Sequence, residues 1–261
     1  MIRFRFLFII LFALPFYGNS QEKIYKFDWK KDLILVGGGV GLQVLGTILV
    51  NNVDGPTLTE INGLDPLSIN RLDRQAIGNQ SSSAKNISDI ILYSSLSLPV
   101  IAYIVPKCRF EGVSVGLMAA ETVLITTGIT NITKGLSKRY RPFTYDPSVP
   151  IESKLEGEAR LSFFSGHTSV TTALSFLMAS VIVDVHPNMK NKYLIWSTAA
   201  IIPATIGYLR FKAGRHFPTD VITGYALGAT IGYLIPKLHK QKRLQVRTYG
   251  AGLSLNINLN K

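Results

Sequence analysis

The chain has 261 residues, and its 28 Lys and Arg residues outnumber the 16 Asp and Glu residues to give a net charge of +12. Because 47% of the residues are hydrophobic and only 17% are charged, the composition excludes a disordered chain and argues against an ordinary water-soluble globule. The length suits one domain, and the single cysteine, Cys108, excludes both an internal disulfide framework and a CxxC-type metal site.

The first 20 residues have the pattern of an export signal. Arg3 and Arg5 precede an apolar stretch over residues 6–16, and Gly18-Asn19-Ser20 provides a small, polar cleavage region. The alternative is an uncleaved membrane anchor. Either interpretation sends the chain out of the cytoplasm, so we expect no nucleic-acid partner despite the basic charge.

Six apolar stretches follow, and they predict an all-α bundle of about six hydrophobic helices. Each is slightly shorter than the ~20 residues that span a bilayer comfortably, and small residues are frequent in them, as in closely packed membrane helices. We therefore expect transmembrane helices; the alternative is the buried helices of a large soluble bundle. The stretches are Leu33–Val50, Ile90–Val105, Val113–Thr130, Ser169–Val183, Tyr193–Tyr208 and Val221–Ile235.

The last 18 residues change character. Leu253, Leu255 and Ile257 alternate with polar residues, which is typical of a strand. Together with residues 244–249 and the Gly250-Ala251-Gly252 turn, they predict a short C-terminal hairpin. The predicted organisation is a signal or anchor over 1–20, a helical domain over 21–243 and a β-like tail over 244–261.

The basic residues also predict an orientation. If all six stretches span the membrane, one end of the bundle collects 13 Lys and Arg in 37 polar residues and the other collects 12 in 72. The denser end is expected in the cytoplasm, which places 134–160 and 210–215 outside. A cleaved signal would leave Gln21 outside and invert this arrangement, unless the glycine-rich stretch Leu33–Val50 lies at the surface without crossing.

Three polar clusters at the ends of the apolar stretches must share one end of such a bundle. One follows the third stretch (134–142), one opens the fourth (165–168) and one links the fifth to the sixth (210–220). The candidate site residues that this arrangement brings together are Lys134, Arg141, Ser165, Gly166, His167, Arg210, His216 and Asp220.

An oxyanion is the ligand that suits these clusters. Two histidines and an aspartate can hold a metal, but the seven Lys and Arg residues of the same clusters would repel a dication. Arginine offers a planar fork of donors matched to phosphate. Ser165-Gly166-His167 precedes a predicted helix, whose N-terminal N–H groups favour an anion, and Gly166 permits close approach of the backbone.

The two histidines then take separate roles. Asp220 follows His216 by four residues and can bond one ring nitrogen, which leaves the other free to attack phosphorus. His167 can protonate the leaving oxygen, and the cationic side chains supply charge neutralisation without a metal. Taken singly, each motif has a simpler interpretation: a histidine capping a helix end, a basic loop anchored to lipid headgroups, or Ser165 as a plain N-cap.

Taken together, the three clusters resemble the type 2 phosphatidic acid phosphatase and vanadium haloperoxidase superfamily, in its bacterial membrane-associated phosphatase branch. The pattern Lys-x6-Arg-Pro, Ser-Gly-His and Arg-x5-His-x3-Asp occurs at 134–142, 165–167 and 210–220, and the three spacings together are specific. Phe164 and Leu209 stand where the family usually has Pro and Ser, which affects fine geometry more than activity.

The resemblance implies a role for each candidate residue. His216 would be the nucleophile that forms a phosphohistidine, Asp220 its orienting partner and His167 the general acid. The phosphate-binding residues would be Lys134, Arg141, Ser165, Gly166 and Arg210. The resemblance implies neither a metal nor another cofactor.

The resulting expectation is a metal-independent phosphatase that hydrolyses a phosphomonoester or diphosphate of a lipid. We expect a bacterial-type inner membrane protein with its site on the periplasmic face, whose partners are the bilayer and a phosphorylated lipid such as phosphatidate, phosphatidylglycerol phosphate, a polyprenyl diphosphate or lipid A. Three alternatives stay open: a soluble periplasmic acid phosphatase acting on small phosphate esters, a vanadate-dependent haloperoxidase, and a non-catalytic lipid-binding membrane protein. The sequence does not predict the oligomeric state.

Overall fold

The computed structural model describes residues 23–241 and, after them, the backbone of two strands at 244–249 and 252–257. The predicted export signal over 1–20 lies outside the described residues. In chain order the helices are α1 (Trp29–Asn51), α2 (Leu58–Asn62), α3 (Arg71–Arg74), α4 (Ser82–Ser95), α5 (Ile101–Ile104), α6 (Gly112–Ser137), α7 (Ile151–Lys154), α8 (Gly166–Val185), α9 (Lys192–Lys212) and α10 (Pro218–His239).

Six of the described helical segments are long and apolar enough to cross a membrane, which confirms the predicted bundle. Their outer faces are apolar: Ile34, Ile104 and Ile201 expose 72%, 71% and 63% of their surface. A water-soluble bundle of this size would carry polar residues on that face. The arrangement therefore supports a membrane protein over the soluble alternative.

The second predicted stretch differs most from the helix that forms. We expected it to begin at Ile90, but α4 begins at Ser82, because the Ser81 hydroxyl accepts a hydrogen bond from Ala84 N–H and caps the helix. The segment is then interrupted by a 3-10 turn over Leu98–Val100, where Pro99 has no N–H to donate. The polar first half of α4 thus extends the segment towards the candidate site.

Helix α1 runs alongside α6 in the same direction, which argues against the alternative that Leu33–Val50 lies at the surface without crossing. The two backbones approach closely at small residues. A Cβ added to Gly46 would lie 2.9 Å from the Gly128 carbonyl oxygen, and one added to Gly135 would lie 2.6 Å from Leu49 Cβ. These contacts extend along the helix pair and make α1 a full member of the bundle.

Helix α8 occupies the centre and packs against α10 at a stripe of glycines. Cβ atoms added to Gly224, Gly228 and Gly232 would lie 2.6, 2.2 and 2.1 Å from carbonyl oxygens of Ser165, Ser169 and Ala173. Such close approach of backbones is how small residues hold membrane helices together. It also fixes the start of α10 against the start of α8.

The chain ends of the bundle lie together, remote from that junction. Gln241 N–H donates to the Ile24 carbonyl and Lys26 N–H to the His239 carbonyl, both at 2.9 Å. After them, Leu244–Tyr249 pairs antiparallel with Gly252–Ile257, as the predicted C-terminal hairpin requires.

Candidate active site

Three segments that are distant in sequence meet at one end of the bundle. The loop after α6 joins the turn between α9 and α10 through a hydrogen bond from Phe143 N–H to the Gly214 carbonyl at 3.2 Å. The start of α8 joins α10 through Ser165 N–H, which donates to the Asp220 carbonyl at 3.0 Å. Gly214 has a φ of 65°, a conformation that a glycine adopts without strain. Backbone geometry thus assembles the three predicted clusters.

The candidate side chains surround His216, which is 1% exposed. The charges of Lys134, Arg141, Arg210 and His167 all act on this imidazole. Burial first, and then the positive charges of Arg141, Lys134 and Arg210, hold the pKa of His216 well below its ordinary value. The ring is therefore neutral at neutral pH and carries a free lone pair.

The ring of His216 is oriented by a main-chain group. His216 Nδ1 lies 2.8 Å from the Ser162 carbonyl oxygen, so Nδ1 carries the hydrogen and Nε2 carries the lone pair. We expected the Asp220 carboxylate to make this bond. The prediction was wrong in that detail, because the nearest Asp220 oxygen lies 3.6 Å from Nδ1.

Asp220 has other partners because of its place in α10. As the third residue of the helix it accepts a hydrogen bond from Phe217 N–H at 2.9 Å, a capping interaction. Arg139 Nη1 and the Ser162 hydroxyl also donate to it, both at 2.5 Å. Asp220 therefore holds Ser162, whose carbonyl contacts His216, and the start of α10.

Arg139 links Asp220 to a second buried carboxylate. Its Nη2 donates to Asp73 at 2.7 Å, and Asp73 also accepts from the N–H and hydroxyl of Thr219 at 2.9 and 2.7 Å. Burial alone would raise the pKa of Asp73, but the hydrogen bonds from Thr219, Arg139 and Asn70 outweigh it and lower that pKa below its ordinary value. The pair of carboxylates holds Arg139 as a bridge between α3 and α10.

The second histidine is oriented by Asp89, on α4. His167 Nε2 lies 2.8 Å from Asp89 Oδ1, and Arg210 Nη1 donates to the same oxygen at 3.0 Å. One carboxylate therefore positions both a histidine and a buried arginine. Asp89 contacts Nε2 of His167 and does not contact Nδ1, the other ring nitrogen.

Two buried guanidinium groups at the site have N–H donors without a hydrogen-bond partner in the described part of the chain. Arg141 and Arg210 are 3% and 4% exposed. Among the described residues, Arg141 Nε, Arg141 Nη1 and Arg210 Nε find no hydrogen-bond partner. Buried donors without a partner are costly, so this arrangement favours an anionic ligand that accepts from both arginines.

A carboxylate already contacts one of these arginines. Glu158 Oε1 accepts from Arg141 Nη2 at 3.0 Å, and its other oxygen lies 3.8 Å from Arg215 Nη1. Arg141 first, and then Arg215, hold the pKa of Glu158 below its ordinary value. Glu158 and Arg215 also line a surface cavity that continues to Lys85, so this carboxylate lies at the mouth of the site.

Ser165 caps α8, as the simpler interpretation of that residue required. Its hydroxyl oxygen accepts from Thr168 N–H at 3.4 Å, and its own N–H donates to the Asp220 carbonyl. Gly166 and His167 follow as the first two helical residues, whose N–H groups have no acceptor within the helix. These two N–H groups, and not that of Ser165, can point to an anion.

Sequence reasoning assigned no role to Asp89, Ser162 or Glu158. Asp89 carried a usable signal, because an ionisable residue at the margin of an apolar stretch is functional by default. Ser162 contacts His216 through its main-chain carbonyl oxygen. Every residue has such an oxygen, so the amino-acid sequence gives no signal for this contact. Glu158 lies in a polar loop where carboxylates are common.

The chain is similar in sequence to a known family and to several curated proteins. Residues 115–244 match the family model described as the PAP2 superfamily. Lipid A 4'-phosphatase of Porphyromonas gingivalis is 24% identical over 49% of this chain and 52% of that protein. Phosphatidylglycerophosphatase B of Bacillus subtilis is 31% identical over 33% of this chain and 43% of that protein.

Two further similarities were found. Undecaprenyl-diphosphatase of Sulfolobus acidocaldarius is 27% identical over 52% of this chain and 60% of that protein. The chain is also similar to the crystal structure of a transmembrane PAP2-type phosphatidylglycerolphosphate phosphatase from Bacillus subtilis. The match covers 77% of this chain and 94% of that protein, with 22% identity and a TM-score of 0.48. The chain spans about half the length of the curated relatives it matches.

Proposed function

Because this chain belongs to the PAP2 superfamily, we propose that it is a membrane-embedded phosphatase that hydrolyses a phosphomonoester or diphosphate of a lipid. The observation that carries the proposal is the environment of His216. A neutral imidazole with a free Nε2 lies among cationic side chains, and the guanidinium groups of Arg141 and Arg210 retain unpartnered donors. A phosphoryl group is the electrophile that this set suits.

In the first step the substrate phosphate binds to Lys134, Arg141 and Arg210, with the N–H groups of Gly166 and His167 at the start of α8. The Nε2 lone pair of His216 attacks phosphorus and the bond from phosphorus to the ester oxygen breaks. His167 acts here in its doubly protonated form, because Asp89 accepts the hydrogen on Nε2. It gives its Nδ1 proton to the departing oxygen and becomes neutral, so the products are an alcohol and a phosphohistidine.

In the second step water attacks the phosphohistidine and loses its proton to His167. The bond from phosphorus to Nε2 breaks, and inorganic phosphate leaves with His216 restored. Positioning and charge neutralisation are the main demands of phosphoryl transfer, and the cationic side chains of the site supply both.

A lipid substrate is supported by what flanks the site. Ile90 follows Asp89 directly, and Tyr208 precedes Arg210 by two residues in α9. Their side chains are 64% and 57% exposed on the outer face of the bundle. A phosphate at headgroup level would thus place its acyl or prenyl chain beside apolar helix surface. The names of the relatives point to the same class: lipid A, phosphatidylglycerophosphate and undecaprenyl diphosphate.

The test is phosphate release by the purified protein across a panel of lipid phosphates, lipid diphosphates and soluble phosphate esters. We expect His216→Ala to lower turnover by about three orders of magnitude or more while the protein remains folded and monodisperse. His186→Ala is the matched control, since His186 lies at the opposite end of α8. Unchanged turnover in His216→Ala would refute the mechanism.

Two other outcomes would replace the proposal. Halide oxidation that requires vanadate, without phosphate release from any substrate, would identify a haloperoxidase. Binding of phospholipid headgroups without turnover of any member of the panel would identify a lipid-binding protein.

A further inference from the structure

A second group of ionisable side chains lies at the end of the bundle opposite His216. Asp32 is in the first turn of α1, Glu121 is in α6 and His239 is in the last turn of α10. They are 3%, 0% and 2% exposed. His239 follows Asp220 by 19 residues on one helix, which is about 28 Å at a rise of ~1.5 Å per residue.

The three side chains point their ligand atoms at one another. His239 Nε2 lies 2.8 Å from Asp32 Oδ1 and 3.3 Å from Glu121 Oε2. One atom from each of the three residues lies within 4.8 Å of the others. Ligand atoms bound about 2.1 Å from a shared metal ion lie about 3.0 to 3.4 Å apart, so the observed spacings suit a common ion with small adjustments.

The hydrogen bond on the other side of the imidazole prepares Nε2 as a ligand. His239 Nδ1 lies 2.9 Å from the Ile235 carbonyl oxygen, and because a carbonyl cannot donate, Nδ1 carries the hydrogen. On the other side of the ring, the 2.8 Å contact with Asp32 is a hydrogen bond from Nε2–H in the absence of a metal, and a metal ion that replaces this hydrogen would take the Nε2 lone pair and face two carboxylates. Metal-bound histidines commonly show this pattern, in which the second ring nitrogen donates to a carbonyl.

One of the two carboxylates, that of Glu121, is also incompletely satisfied. Within the described part of the chain, neither oxygen of Glu121 has a hydrogen-bond partner, although the residue is fully buried. Asp32 Oδ2 accepts from Asp28 N–H at 2.7 Å, which leaves Oδ1 for the group. A buried carboxylate without donors requires a positive charge nearby.

Protonated His239 would supply one positive charge against two negative ones. The nearest lysine on α1, Lys31, donates instead to the Leu238 carbonyl at 2.6 Å. A dication balances both carboxylates and leaves His239 neutral, with its lone pair in use. One histidine and two carboxylates form a ligand set that zinc and related transition metals accept, with water completing the coordination.

We propose that Asp32, Glu121 and His239 bind a divalent transition-metal ion of the zinc class, which joins α1, α6 and α10 at the end of the bundle remote from the phosphate pocket. The ion can enter through a surface cleft lined by Tyr25, Val113, Leu117 and His239. Its role is structural, because it links three helices far from the candidate reacting atoms.

The test uses the full chain purified in detergent, stripped with a chelator and dialysed against Zn²⁺. We expect one zinc ion per chain in the unmodified protein, and loss of that ion in Glu121→Gln and in Asp32→Asn. The matched control is His186→Ala, because His186 Nδ1 contacts the Ile182 carbonyl at 3.1 Å, as His239 contacts Ile235, but has no carboxylate contact among the described residues.

Thermal unfolding provides a second readout. Chelation is expected to lower the melting temperature of the unmodified protein and of His186→Ala, and added zinc to restore it, by the linkage between binding and folding. The melting temperature of Glu121→Gln should not respond to chelator or zinc. Failure of the unmodified protein to bind zinc would overturn the proposal and leave a buried ion pair. Zinc retained by both carboxylate variants would overturn it by placing the ion elsewhere.

Discussion

Glu158 holds a carboxylate against Arg141, one of the arginines with donors to spare. An anionic ligand that approaches Arg141 must compete with this carboxylate for the same guanidinium group. Because Glu158 lies on a loop and its side chain is 55% exposed, it can move aside into water. Its effect is therefore to weaken binding of phosphate without blocking the site.

We expect Glu158→Gln to tighten inhibition by inorganic phosphate by about two- to fivefold, the range that a partly exposed ion pair supports. Inhibition constants measured on the purified protein check this. Glu156→Gln is the control, since Glu156 lines the same cavity without an ion pair to Arg141 in the described structure. An equal change in both variants would contradict a specific role for Glu158.

The pKa of His216 gives a second prediction at the residue scale. Since the folded-state pKa lies well below the ordinary value, the ring should stay neutral as the pH falls through about 6.5. The unfolded chain would bind a proton there, so His216 contributes stability that is present above pH ~6.5 and is lost as the pH falls towards its folded-state pKa.

Nitrogen NMR of histidine-labelled protein measures this titration. The His216 signals are assigned by their loss in His216→Gln, and they should show a neutral ring, protonated at Nδ1, at pH 6. A ring that becomes charged near pH 6.5 would contradict the buried, cation-surrounded environment.

For single residues, the sequence predicted which side chains belong to the candidate site better than it predicted which atoms they contact. Lys134, Arg141, Arg210 and the two histidines could be found because their motifs have fixed spacings at helix ends. The contacts of the Ser162 carbonyl and of Asp89 could not be predicted, because these residues lie 54 and 78 residues from the histidines they contact. The i to i+4 spacing of His216 and Asp220 suggested a direct bond, but helix capping engages the carboxylate elsewhere.

Among the elements, α10 depends on its glycine stripe. A Cβ on Gly228 would lie 2.2 Å from the Ser169 carbonyl oxygen, and a rigid backbone atom cannot move aside cheaply. Separation of α8 from α10 would also disturb the start of both helices, where Ser165 and Asp220 meet.

We expect Gly228→Ala to destabilise the protein by about 1–3 kcal/mol, the usual cost of overpacking, and to lower its melting temperature in detergent. Gly41→Ala is the control, since a Cβ at Gly41 meets nothing within 4 Å; its melting temperature should be unchanged or higher, as alanine favours a helix. Equal effects of the two substitutions would contradict the packing argument.

Helix existence was predictable from apolar stretches, but helix ends were not. Hydropathy follows the part of a helix that contacts lipid, whereas caps and polar turns decide where the helix begins. The first half of α4 shows this, because Ser82 to Asp89 is mostly polar and is helical. It is also the segment that contributes Asp89 to the site, so the error in the boundary and the missed residue have one cause.

On the scale of the whole molecule, six crossings place the candidate site and the residue 23–28 segment at opposite ends. The denser positive charge lies at the end that carries 106–112 and 186–192, which favours the cytoplasm for that end. We therefore expect the site to face away from the cytoplasm, an arrangement that a cleaved export signal would not fit.

Cysteine labelling in intact cells tests the orientation. Ser153→Cys lies in the loop beside the site and Asn188→Cys in the loop at the other end, both at exposed positions, while the native Cys108 is buried. We expect a membrane-impermeant thiol reagent to label Ser153→Cys and to label Asn188→Cys only after lysis. The reverse pattern would invert the topology and support signal cleavage.

The hydrogen bonds that pair Ile24 with Gln241 and Lys26 with His239 bring the segment before the first helix beside the segment after the last one. Sequence order then matters less to the packing than the identity of the neighbouring helices. A short linker between these two paired segments, with new termini opened in the loop at 186–192, would give a circular permutant in which every helix keeps its neighbours and the phosphate pocket keeps its walls.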